Sequence, residues 1–193
     1  MLEFIVEAEN YYEQLQHSKV KIVNERWDGG KNLFLLLYTY IRVVKPKVVV
    51  ETGVANGVST NGIMNAIKLN QNNCILHSFD ILPHTKEAYN GDGLWEFHLL
   101  RKPYKKNLLK TVDNFGEVDL WLHDSNHSYL WQNMEYELAL SKLSNRGILI
   151  SDDIDASLAW SQNSKTNFDT SYILNDHRKF IGIAFGKNNA LTN

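Results

Sequence analysis

The spacing of apolar residues changes repeatedly along the chain, and each change marks an element. Across residues 3–16, Phe4, Ala8, Tyr11, Tyr12 and Leu15 fall on one side of a helix. A second helix is predicted from about Lys31 to Val44, with Pro46 closing it. Val48 to Val50 is apolar without alternation, the pattern of a strand covered on both faces of a parallel sheet. Helix is predicted again from Gly57 to Leu69, then a strand from Cys74 to Asp80. Residues 81–100 carry no clear period. Asn90-Gly-Asp-Gly93 reads as a loop and Trp95 to Leu100 as a weak third strand.

Further on, Lys105 to Phe115 reads as helix and Val118 to Asp124 as a fourth strand. Leu130, Met134 and Leu138 recur every four residues in a helix expected over Tyr129–Leu143, which Arg146 and Gly147 should end. Ile148 to Ile150 is a fifth strand running into Ser151, Asp152 and Asp153. A polar segment (156–170) precedes two last strands, Ser171–Asp176 and Phe180–Gly186, whose short link indicates an antiparallel hairpin. Strands alternating with helices imply an α/β, doubly wound, mostly parallel seven-stranded sheet with helices on both faces and that hairpin at its end. The whole of 1–193 reads as one domain, with N-terminal helices over 1–44 and an α/β core over 45–186.

The polar residues at the strand ends add chemistry. Glu51 closes the first strand and is followed by a turn holding Gly53 and Gly57, then by Ser59 and Thr60 in the first helical turn. Glycine tolerates backbone angles closed to other residues and lets a ligand come near. A helix start also offers N–H groups to it. Asp80, Asp124 and the pair Asp152–Asp153 end three further strands, so four strands deliver acid to one rim, where open α/β sheets bind ligands. Asp80 lies at a spacing from the turn that suits a ribose-binding acid. Asp124, Asp152 and Asp153 would repel one another or recruit a hard cation such as Mg²⁺. Taken singly, any of these acids is more commonly a turn or helix cap.

Composition narrows the class. The 193 residues carry a net charge of −2 and are 44% hydrophobic, which gives no reason to expect nucleic-acid binding. Arg101, Lys102, Lys105 and Lys106 form one small basic cluster, expected to be a solvated loop. Cys74 is the only cysteine, so no intrachain disulfide forms. The acidic first residues do not look like a signal peptide, and the run Leu33–Val44 is short for a membrane span. A cytoplasmic location is the expectation, with a homo-oligomer allowed.

Glu51-Thr-Gly-Val-Ala-Asn-Gly57 resembles the first motif, E-x-G-x-x-x-G, of the class I S-adenosylmethionine-dependent methyltransferases, and Ser59-Thr60 matches a pair that often follows it. Asp124-Ser-Asn-His-Ser-Tyr129 is similar to the D-G-D-H-S-Y signature of a small bacterial branch that includes sugar and natural-product O-methyltransferases. Gly147-Ile-Leu-Ile-Ser-Asp-Asp153 resembles that branch's G-G-x-x-x-x-D-D segment. Ser125 and Asn126 depart from the pattern, as does Asn145-Arg146 in place of Pro-Gly, and the third-strand pair that borders the adenine is missing.

The resemblance implies a Rossmann-like fold and S-adenosylmethionine as cofactor. It places Glu51, Gly53, Asn56, Gly57, Ser59, Thr60, Asp80 and Asp124 beside the cofactor, and Mg²⁺ on Asp124, Asp152 and Asp153. The reaction it implies is O-methylation of a small-molecule hydroxyl, in which alignment of nucleophile and methyl does most of the work and a metal lowers the hydroxyl pKa. His127 or His123 would take the proton, with His84 and His98 as weaker candidates. Trp95, Trp131 and Trp160 either line a pocket or belong to the core. Two other readings stay open: a non-catalytic ligand-binding or assembly module, and an NAD-dependent oxidoreductase. The second fits less well, because the turn lacks G-x-G-x-x-G.

Overall fold

The structure is a computed structural model that describes residues 1–18, 21–177 and 179–186. The chain divides into two compact units, the first ending at Leu100 and the second starting at Arg101.

In the first unit, helix α1 (Leu2–Ser18) is followed by a short 3-10 turn (Glu25–Trp27) and helix α2 (Lys31–Val44). Helix α2 buries Leu33, Phe34, Leu37, Tyr38 and Ile41, the i, i+3, i+4 stripe that the sequence shows. Each such side chain contributes about 1.5–3 kcal/mol. The helix stops because Lys45 turns left-handed (φ 55°) and donates its N–H to Ile41, and Pro46 follows without a donor. Strand β1 (Val48–Thr52), helix α3 (Val58–Asn70), strand β2 (Ile75–Asp80) and strand β3 (Trp95–Leu99) complete the unit. The three strands are parallel, with β2 in the middle, and Glu51 faces Ser78 across β1 and β2. The stretch without a clear period contains a 3-10 helix, Pro83–Ala88.

In the second unit the elements are α4 (Tyr104–Val112), β4 (Val118–His123), α5 (Tyr129–Lys142), β5 (Leu143–Ser151), α6 (Ala159–Thr166), β6 (Phe168–Asp176) and β7 (Lys179–Gly186). Strands β4 and β5 are parallel, while β7 runs antiparallel to both β5 and β6. The hairpin is therefore as expected, although Arg178 in its link lies outside the described residues.

Across the sheet the strand order is β3-β2-β1-β4-β5-β7-β6. This is the seven-stranded, mostly parallel α/β fold with a C-terminal antiparallel hairpin that the periodicities predict. No helix among the described residues is long and apolar enough to cross a membrane.

Three expectations change. Arg146 and Gly147 do not end a helix, because the chain turns extended at Leu143 and both residues sit inside β5. The buried face of α5 carries Gln132, Met134, Glu135, Tyr136, Leu138 and Ala139, and Leu130 points to solvent. The polar segment hides α6, whose Trp160 packs on the bare backbone of Gly182, where a Cβ would lie 2.4 Å from the indole.

Candidate active site

Glu51 sits inside β1 rather than at its end, and it is fully buried. Ser59 Oγ donates to its Oε1 (2.6 Å), while Thr60 Oγ1 (2.8 Å) and Ser78 Oγ (2.6 Å) donate to Oε2. Trp95 Nε1 donates in turn to Ser78 Oγ (2.9 Å). Burial raises the Glu51 pKa to about 7 against the pull of those hydroxyls, and the charge of Asp80 raises it further. The Ser59-Thr60 pair thus solvates a buried acid, so both hydroxyls point into the fold.

Asp80 holds the glycine turn. Its Oδ2 accepts from the N–H of Val54 (2.9 Å) and Ala55 (3.3 Å), and its Oδ1 from the N–H of Leu82 (2.8 Å). Gly53 (φ 89°), Ala55 (φ 49°) and Gly57 (φ 74°) all take left-handed angles, so the two glycines avoid strain that Ala55 accepts. A Cβ on Gly57 would lie 2.6 Å from that of Ala88, so its close approach serves the 3-10 helix. Buried Asn56 accepts from the N–H of Ile22 (2.6 Å) and Val23 (2.8 Å) and donates to Asp28 Oδ1 (2.9 Å) and Val23 O (3.3 Å). It latches the segment between α1 and α2 onto the turn.

The second unit gathers its own set. Asp124 follows β4, Asp152 and Asp153 follow β5, and Lys179 starts β7, which antiparallel pairing brings to the same end. The Lys179 ammonium hydrogen-bonds to Asp152 Oδ2 and lies 3.8 Å from Asp153 Oδ2. Burial disfavours that ammonium, but Asp152, Asp124 and Asp153 outweigh it and leave its pKa above the ordinary value. Burial likewise raises the Asp152 carboxyl, with Lys179 opposing.

His127 Nδ1 lies 3.3 Å from Asp153 Oδ2, and its Nε2 lies 3.7 Å from Asp124 Oδ1. Burial, aided by His123, brings the His127 pKa down to about 4, so the imidazole is neutral near pH 7.

His123 is fully buried, edge-on to His127 and Tyr136 at 5.5 Å, with Nδ1 3.0 Å from Glu135 Oε2. Its environment is that of a core histidine. Glu135, like Lys179, is a residue that the sequence reading missed. Its buried carboxylate also accepts from Trp121 Nε1 (3.1 Å), Trp131 Nε1 (2.9 Å) and Ser125 Oγ (3.1 Å). Trp131 is thus a donor under the site, Trp95 serves the Glu51 network, and Trp160 is core. His84 is exposed on the 3-10 helix, as are Arg101, Lys102, Lys105 and Lys106 on their loop and helix start.

The magnesium set implied by the resemblance, Asp124, Asp152 and Asp153, faces the Lys179 ammonium in this structure. A hard octahedral ion needs oxygens about 3 Å apart around it. Asp124, Asp152 and Asp153 do not bring one carboxylate oxygen each within 4.8 Å of one another. The Lys179 ammonium supplies positive charge against Asp152 and Asp153.

A family model described as a methyltransferase domain matches residues 50–154, more than half of the chain. No curated protein matches the sequence. Among solved structures, the methyltransferase PaMTH1 of Podospora anserina bound to S-adenosylhomocysteine superposes with a TM-score of 0.68 at 14% identity, covering 95% of this chain and 87% of that one. An O-methyltransferase from Bacillus cereus in complex with S-adenosylhomocysteine gives 0.64 at 11% identity, covering 96% and 91%. The O-methyltransferase TomG of Streptomyces achromogenes, involved in tomaymycin synthesis and bound to S-adenosylmethionine, gives 0.65 at 13%, covering 95% and 89%. At these identities the likeness is one of fold, while the match over 50–154 is one of sequence. Motif order, strand order and that match agree: the chain belongs to the class I S-adenosylmethionine-dependent methyltransferases.

Proposed function

We propose that the chain transfers the methyl group of S-adenosylmethionine to a hydroxyl of a small molecule, with His127 as base and the Lys179 ammonium in the role expected of Mg²⁺. The observation that carries this reading is a neutral imidazole flanked by Asp124 and Asp153 next to a partly buried lysine cation. As the acceptor oxygen bonds to the methyl carbon, the carbon–sulfur bond breaks and its electron pair stays on sulfur, which becomes a neutral thioether. The hydroxyl proton passes to His127, and Asp153 stabilises the imidazolium. The Lys179 charge favours the developing alkoxide. The cofactor residues in this reading are the turn Gly53–Gly57, Asp80 and Asp124, with Glu51, Asn56, Ser59 and Thr60 acting from behind as the groups that hold the turn's shape.

Chain treated with EDTA, given methyl-labelled S-adenosylmethionine and a panel of sugars and phenols, is expected to label an acceptor hydroxyl with no response to added Mg²⁺. Labelling that requires Mg²⁺ would overturn the lysine assignment and keep the methyl transfer.

One observation favours a second reading, a non-catalytic ligand-binding or assembly module. Glu51, Asn56 and Asp80 all direct their polar atoms to partners within the fold. Calorimetry separates the two, since a module that has lost the cofactor gives no heat with S-adenosylmethionine.

A further inference from the structure

Away from these acids, β2 and β3 bring three ligating side chains to one face. His77 on β2 is the register partner of Glu96 on β3, and His98 follows Glu96 by two residues. Strand side chains alternate between faces, so the three stand together, while Ser78 and Phe97 point the other way. His77 is largely buried, His98 is partly buried, and the Glu96 side chain is half exposed. The cluster is therefore reached from solvent past the glutamate. Strand β3 lies at the edge of the sheet, and no further strand among the described residues covers it.

The distances single out one atom from each residue. His77 Nδ1 lies 3.1 Å from His98 Nε2 and 3.1 Å from Glu96 Oε2, and the last two are 3.8 Å apart. Among the described residues, no other trio of His, Cys, Asp or Glu brings its ligand atoms this close together. Three points so spaced lie on a circle of radius about 2.0 Å, the length of a zinc–nitrogen or zinc–oxygen bond. An ion bound equally to all three therefore sits near their plane, with its outer side open to a further ligand.

Two nitrogens and one oxygen form a donor set of borderline softness, suited to late first-row divalent ions and poor for Mg²⁺ or Ca²⁺. The ring of Phe79 stacks on His98 (4.7 Å, 21°) and fixes its orientation.

We propose that His77, Glu96 and His98 form a binding site for a divalent transition ion of the zinc class, with an open position for water or an anionic ligand. The ion clamps the edge strand β3 to β2. Strand β3 also carries Trp95, whose indole reaches Ser78 and through it Glu51, so the clamp supports the hydroxyl network behind the glycine turn. Without an ion the same three atoms share protons, and a cluster held by protons alone is the competing account.

The test uses the full chain, free of any affinity tag, stripped with chelator and titrated with zinc chloride in a calorimeter, alongside thermal unfolding. One ion per chain is expected, with micromolar affinity and a Tm that rises with zinc concentration. Glu96→Gln and His98→Ala should each weaken binding at least ~10-fold, whereas His17→Ala, an exposed histidine on α1, should leave it unchanged. Mg²⁺ should give no heat at this site. Glu96→Gln alters a half-exposed side chain and keeps the fold, which circular dichroism checks. Absence of zinc binding would overturn the proposal and leave the proton-held cluster. So would zinc binding insensitive to both Glu96→Gln and His98→Ala. Binding of S-adenosylmethionine is read separately, and neither result depends on it.

Discussion

Lys179 seats its ammonium on the fully buried carboxylate of Asp152, although 27 positions separate them in the chain. Removing the lysine strands a buried carboxylate, which costs up to about 3–5 kcal/mol. Lys179→Met should therefore lower stability by that order in urea titration. The double variant with Asp152→Asn should recover much of the loss, since it leaves no lone charge. A single variant as stable as the parent would show that water already solvates Asp152.

Glu51 predicts a pH dependence with a definite sign. Its folded pKa is about 7 against an ordinary 4.5, so between these values the folded chain holds a proton that the unfolded chain has released. Folding is therefore favoured at the acid end, and this contribution to stability falls as pH rises from about 4.5 to about 7. The full loss is about 3 kcal/mol. Urea midpoints of the parent should fall relative to those of Glu51→Gln as pH rises through that window, with the two closest at its acid end. Parallel curves would mean that the three hydroxyls solvate the carboxylate as well as water does.

How much of this could be read from the chain depends on how local the signal is. The strands β1, β2 and β4, with the acids in or just beyond their last residues, were legible because a two-sided buried strand leaves an apolar run and a turn leaves glycine. Lys179 was not, because only the antiparallel pairing of β5 with β7 brings it to Asp152. Glu135 was hidden by helical spacing itself. Leu130, Met134 and Leu138 suggest one face of α5, yet Leu130 is 80% exposed and the buried face turns toward Gln132 and Glu135. Helix α6 carries too few apolar residues for a periodicity, and its burial rests on Trp160 fitting over Gly182. Similarly, Asn56 stands in a recognisable motif, but its hold on Ile22 and Val23 belongs to tertiary structure.

That hold gives a local prediction. Asn56→Ala removes the acceptor of two partly buried N–H groups and a donor to Asp28, a loss of about 1–3 kcal/mol. The loss should fall on the segment between α1 and α2. Limited trypsin digestion at Lys21 and Arg26 should then speed up at least ~5-fold, which is what about 1 kcal/mol of local opening implies. Unchanged cleavage would place the restraint elsewhere.

Glu135 offers a test of the second unit's interior. All four of its neighbours present N–H or O–H groups, or an imidazole nitrogen, to a carboxylate that can only accept. Glu135→Gln keeps the volume but turns an N–H₂ toward donors, so a loss of about 1–3 kcal/mol is expected. Indole fluorescence should change as Trp121 and Trp131 lose a shared partner. A variant of parental stability would show that His123 supplies the missing acceptor through its other tautomer.

His127 carries the last prediction, which concerns rate. A base with a pKa of about 4 is fully neutral at pH 6, whereas an ordinary histidine would be largely protonated there. The acid limb of kcat/KM should therefore lie well below pH 6, provided that the chain stays folded, which circular dichroism follows at each pH. His127→Asn keeps a polar side chain but accepts no proton, so kcat should fall about 10²–10⁴-fold. The affinity for S-adenosylmethionine should stay within about twofold, because the lost group acts on the acceptor. If activity instead halves near pH 6.5 in the parent and survives in the variant, another group takes the proton. His127 would then serve only to separate Asp124 from Asp153.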